Sequence, residues 1–133
     1  MGTLLGFDFG PRKIGVAVGQ TVTRSASPLV TLRSRDNQPD WPRIERLVQE
    51  WQPSAAVVGL PFNVDDTEAT VAPQARRFAR QLAGRFGLAV HLADERLTSI
   101  EARRQLGRDA TRLGQVDAMA AKLILETWLC EHH

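Results

Sequence analysis

The chain opens on two apolar runs joined by a short polar turn. Within 3–9, Leu5, Phe7 and Phe9 alternate with Leu4, Gly6 and Asp8, so an extended strand sends the two sets to opposite faces. Within 13–19, Ile14, Val16 and Val18 alternate with Gly15, Ala17 and Gly19, a face of small residues that admits a close helix or ligand. The Gly10-Pro11 link between them predicts an antiparallel hairpin. A third strand is expected over 24–33, where Pro28 implies a sheet edge or a bulge.

The period then changes. Ile44, Leu47, Val48 and Trp51 recur at helical spacing behind Asp40 as N-cap and Pro42 in the first turn, and Pro53 ends the pattern. The unbroken apolar run 55–60 suits a strand covered on both faces. After a polar loop over 61–70, Val71, Ala75, Phe78, Ala79, Leu82 and Phe86 mark the apolar side of a second helix that stops at Gly87. Its other side carries Arg76, Arg77, Arg80 and Arg85, read first as a solvated surface and second as a nucleic-acid contact. A fifth, buried strand is expected over 88–93, running into Asp94-Glu95-Arg96. Thr98-Ser99-Ile100-Glu101 matches a capping box for a short helix over 99–106, and a basic loop follows to residue 115. The last helix, 116–130, is apolar around most of its circumference and should pack on the sheet. Three strands followed by helix–strand alternation predict an α/β fold over a single domain, residues 1–133. It is a mixed five-stranded sheet, a three-strand antiparallel meander plus two parallel strands, with helices on both faces.

Composition narrows the function classes. With 133 residues and 43% hydrophobic content the chain is long enough for one substantial core. Its apolar stretches are broken by charges before membrane-spanning length, and no basic region precedes an apolar core at the start, so a soluble, unprocessed protein is expected. Cys130 is the only cysteine, which excludes an intrachain disulfide and fits a reducing, cytoplasmic setting. Net charge is only +2, yet all but two of the 17 cations are arginine, whose planar fork suits phosphate. There is no tyrosine, so base-stacking platforms are scarce and any nucleic acid would be read through backbone and shape.

Three carboxylates are candidates for chemistry. Asp8 stands on the small-residue face of the first strand, where it either ties down the Gly10-Pro11 turn or serves a reaction. Glu95 follows the fifth strand, either as a turn residue paired with Arg96 or at the carboxyl-end crevice of an α/β sheet. Asp117 opens the last helix, where it either complements the helix dipole or joins the other two. If strands one and four are neighbours and the last helix crosses the crevice, the three converge. Their mutual repulsion would then be reversed by hard divalent cations. Two Mg²⁺ or Mn²⁺ ions about 3.5 to 4 Å apart would hold a scissile phosphate, deprotonate a water and stabilise the leaving 3′ oxygen.

Four segments in register carry a resemblance. Phe7-Asp8-Phe9-Gly10 with Ile14-Gly15-Val16-Ala17-Val18, then Val58-Gly59-Leu60-Pro61, then Asp94-Glu95-Arg96-Leu97-Thr98-Ser99, then Val116-Asp117-Ala118 with Ala120-Ala121 and Ile124-Leu125, resemble the RuvX/YqgF family over nearly the whole chain. The resemblance implies a ribonuclease H-like fold similar to the junction resolvase RuvC. It also implies a metal-dependent hydrolase acting in 5′-end processing of pre-16S ribosomal RNA. It assigns Asp8, Glu95 and Asp117 to the catalytic metal positions and makes Arg12, Lys13, Asn63, Arg96 and Thr98 substrate-side residues. The family's usual turn, D-F-G-T-K-R, stands here as Asp8-Phe9-Gly10-Pro11-Arg12-Lys13, and its D-G-T-E-G loop as Asp65-Asp66-Thr67-Glu68-Ala69. The alternatives are a Holliday junction resolvase, or a non-catalytic nucleic-acid-binding factor acting on ribosomal assembly intermediates through the arginine faces. A third is an actin-like or sugar-kinase-like nucleotide binder. A resolvase requires a symmetric homodimer, whereas an RNA processor can act as a monomer.

Overall fold

The computed structural model describes residues 2–36, 38–60, 71–94 and 115–132, with side chains from Ala118 onward in the last segment. In chain order these form β1 (Thr3–Phe9), β2 (Lys13–Gln20), β3 (Ser25–Arg33), α1 (Trp41–Trp51), β4 (Ala55–Leu60), α2 (Ala72–Phe86), β5 (Ala89–Asp94) and α3 (Gln115–Glu131). The five strands make one sheet in the order β3-β2-β1-β4-β5. β1, β2 and β3 pair antiparallel, while β4 runs parallel to β1 and β5 parallel to β4. This is the expected mixed sheet. The short helix expected over 99–106 and the loop over 61–70 lie outside the described residues.

Strand alternation divides the core between the two faces. Leu5, Phe7, Ile14, Val16, Leu32, Ala56 and Val58 pack with Trp41 and Ile44 of α1 and Phe78, Ala79 and Leu82 of α2. Leu4, Ala17, Ala26 and Val57 pack on the opposite face under Ala121, Ile124, Leu125 and Leu129 of α3. Helix α1 starts as its sequence dictates. The Asp40 carboxylate accepts from the Arg43 amide at 3.3 Å, satisfying one otherwise unpaired donor. Helix α2 closes at Gly87 in the left-handed region.

β3 explains its proline twice over. It is an edge strand, and its pairing slips between Val16↔Val30 and Ala17↔Pro28, leaving Leu29 as the extra residue of a bulge. The slip reverses the alternation: Leu32 packs under α1 and α2, whereas Ala26, also even-numbered, packs under α3.

One expectation is corrected. β5 is an edge strand and is not buried, since Ala89, His91 and Leu92 are exposed. Among the described residues β4 is its one strand neighbour, so its apolar residues range from half-buried to exposed.

Candidate active site

The site is built where β1 and β4 end side by side. In register across the sheet, Thr31 of β3, Gly15 of β2, Asp8 of β1, Gly59 of β4 and Ala93 of β5 form one row. All belong to the face that α3 covers, because Leu5, Phe7, Leu32 and Val58 occupy the other. Asp8 therefore stands half-buried with a glycine on each side. At the usual strand spacing the nearest side chains in its row, Thr31 and Ala93, stand about 10 Å away, two strands off on either side. Across the three central strands of the row, Asp8 is the one residue with a side chain.

Helix α3 lies close on this face because Gly6 of β1 and Gly19 of β2 carry no side chain to hold it off. A Cβ placed on Gly6 would lie 2.9 Å from Leu125 Cβ and 3.2 Å from the Ala121 carbonyl oxygen, so only glycine permits the approach. Leu125 and Leu129 both approach Gly19, which pairs with Leu4 near the start of β1. The helix thus runs antiparallel to β1, and going back along it from Ala121 leads toward the Asp8 end. Position 117 lies one helical turn before Ala121, about 6 Å along the axis.

The hairpin adds the cations. Gly10 is held by contact, since a Cβ there would sit 2.8 Å from the Lys13 carbonyl oxygen. Arg12 and Lys13 are exposed, and the Arg12 carbonyl accepts from the Ser34 amide at 2.9 Å, which fixes the turn to the end of β3. Lys13 precedes Gly15 by two residues and so shares the Asp8 face. The structure thus brings Asp8, Arg12 and Lys13 to one end of the sheet. Glu95, Asn63, Arg96 and Thr98 lie outside the described residues, as do Asp66 and Ala69 of the altered loop, and Asp117 is described as helix backbone only. Among the described residues no three His, Cys, Asp or Glu side chains cluster as metal ligands.

Two neighbours of the site were not evident in sequence. Gly59 reads as one residue of an apolar run until its register with Asp8 is known. Arg33 reads as a strand end, yet it pairs directly with Lys13. The basic side of α2 is also not uniformly solvated: Arg76 is half-buried, and the Arg85 guanidinium lies 4.3 Å from the centre of the Trp41 ring.

A mixed sheet of this order, covered on both faces and bearing a carboxylate on its central strand, defines a protein of the ribonuclease H-like class. Its backbone is similar to that of Thermus thermophilus RuvC in complex with a Holliday junction (TM-score 0.57, 16% identity, 98% of this chain and 95% of that one). It is likewise similar to the Fowlpox virus resolvase bound to junction DNA (TM-score 0.60, 10% identity, 97% of each). The model of the RuvX family, described as Holliday junction resolvase, matches residues 2–131, and the chain belongs to that family. A relative from Azotobacter vinelandii, provisionally named a pre-16S rRNA nuclease, is 54% identical over 96% of this chain and 93% of its own length. A Klebsiella pneumoniae relative with the same provisional name is 51% identical over 96% and 95%.

Proposed function

We propose that this chain is a metal-dependent endonuclease that hydrolyses phosphodiester bonds in structured nucleic acid, with the 5′ end of precursor 16S ribosomal RNA as its substrate. The observation that carries the reading is the position of Asp8. It stands on the central strand of a ribonuclease H-like sheet, between Gly15 and Gly59 and on the same face as Lys13, within a chain about half identical to the relatives named for that activity.

Asp8, Glu95 and Asp117 are the catalytic carboxylates. As a donor set they offer oxygen ligands only, which fits Mg²⁺ or Mn²⁺, and Gly15 and Gly59, paired with Asp8 on either side, add no side chain that would compete for an ion. When bound, such ions supply Lewis acidity toward the phosphate and make water a nucleophile near neutral pH. The chain's own residues do the rest. β1 presents Asp8 on a rigid element, and a carboxylate on a rigid element holds its geometry better than one on a loop. Lys13, on the same face, and Arg12, in the turn, draw the scissile phosphate to the sheet end. Asn63, Arg96 and Thr98 contact the substrate from the segments that follow β4 and β5. No described helix is long and apolar enough to cross a membrane. The single cysteine supports a reducing, cytoplasmic setting.

The test offers the protein a labelled 5′ fragment of precursor 16S RNA and, in parallel, a four-way DNA junction, with Mg²⁺, Mn²⁺ or chelator. Metal-dependent cleavage of the RNA is expected. Cleavage of the junction alone would replace the RNA substrate with branched DNA, and binding of both without cleavage would leave a nucleic-acid-binding assembly factor.

A further inference from the structure

We infer that Lys13 and Arg33 form a second phosphate seat, which leads the substrate strand away from Asp8 toward the β3 edge of the sheet. The identity of the strand rests on the nuclease reading above. The geometry rests on the sheet alone. Lys13 and Arg33 are directly opposed in the β2–β3 ladder. Both lie on the Asp8 face, because Ile14 and Leu32, their neighbours in sequence, are buried on the other. Both are exposed, and neither has an ion-pair partner among the described residues.

Two like charges directly opposite in a sheet repel and destabilise the pairing. Here they are nevertheless held together, since the Ser34 amide donates to the Arg12 carbonyl at 2.9 Å and continues the ladder beyond them. An anion seated between the two side chains turns that repulsion into attraction. A phosphodiester suits it best, because arginine's planar fork binds two phosphate oxygens while lysine adds a point charge. The pair lies one alternation, about 7 Å along the strand, beyond the row of Asp8, and Arg33 is two strands, about 10 Å, across from it. Arg33 therefore meets the phosphate next to the scissile one, and Lys13, on the strand between Arg33 and Asp8, serves both. It is a binding and positioning residue and acts on affinity, not on the chemical step. Arginines on α1 and α2 cannot share this seat, for those helices cover the opposite face.

The experiment compares the parent protein with Arg33→Gln and, as a control on α1, Arg46→Gln. Binding of a single-stranded RNA and of a four-way DNA junction is measured in chelator over a range of salt, and RNA cleavage is measured with Mg²⁺. For Arg33→Gln the expected results are RNA affinity several-fold weaker at low salt and a salt slope smaller by about 0.7 for the single strand. KM should rise in proportion while kcat is unchanged. Arg46→Gln should behave as the parent. An unchanged slope and KM in Arg33→Gln would overturn the seat, as would an equal loss in Arg46→Gln. A slope difference confined to the junction would assign the seat to DNA instead. If the parent cuts nothing while the Arg33 slope effect persists, the nuclease reading fails and the seat stands.

Discussion

At the scale of single residues, what a side chain does here is set by its neighbours across the sheet or the helix pair. Asp8 is the one side chain between Gly15 and Gly59, which is decided by the register of its neighbouring strands and not by anything in its own. Arg85, though exposed, shows the same dependence. Its guanidinium covers Trp41, whose ring stacks on Phe78 at 5.5 Å between centres. Arg85→Ala is therefore expected to destabilise the protein by about 0.5 to 1 kcal/mol, and Arg77→Ala, at an exposed position, by less than about 0.5 kcal/mol, both read from urea unfolding. Helical periodicity placed Arg85 on the solvated side, where it is exposed, but could not show the Trp41 ring beneath its guanidinium, because a single helix cannot reveal what another brings against it. The same limit hid Arg33, whose partner and face depend on a bulge that only the β2–β3 register discloses.

At the scale of elements, the site depends on how closely α3 lies on β1. The helix is apolar on most sides, so its own pattern specifies burial but no direction, and the glycines of the sheet decide where it settles. Gly6→Ala should cost about 1 to 3 kcal/mol, because the added carbon meets Leu125 and the Ala121 backbone and the helix must move or strain. Thermal unfolding measures that loss. Cleavage should fall further than the stability change explains, since the displaced helix carries Asp117. Most elements were legible because alternation and helical spacing coincide with strong stops, such as Asp40 at the start of α1 and Gly87 at the end of α2. The exception was the burial of β5. An apolar run indicates a strand but not its place in the sheet, and edge position is a property of topology.

At the scale of the whole molecule, antiparallel β1 to β3 and parallel β4 and β5 bring residues distant in sequence to one sheet end. The hairpin contributes Arg12 and Lys13, β1 contributes Asp8, and β3 contributes Arg33. Family membership is established over residues 2–131, and the proposed cleavage chemistry is assigned to that end. Family membership was legible in sequence, because the segments around Asp8, Gly59, Glu95 and Asp117 follow one another in the family's order. That Gly15 and Gly59 flank Asp8 was not, because the register exists only across three strands.

The proposal stands or falls on whether the Asp8 carboxylate drives phosphodiester cleavage. The most direct measurement is the single-turnover rate on the precursor 16S RNA fragment with Mg²⁺ for the parent and for Asp8→Asn, with circular dichroism and RNA affinity measured on both. The account predicts an Asp8→Asn protein that folds and binds RNA like the parent but cuts it no faster than the chelator control. An Asp8→Asn protein that cleaves at the parent's rate would contradict the account.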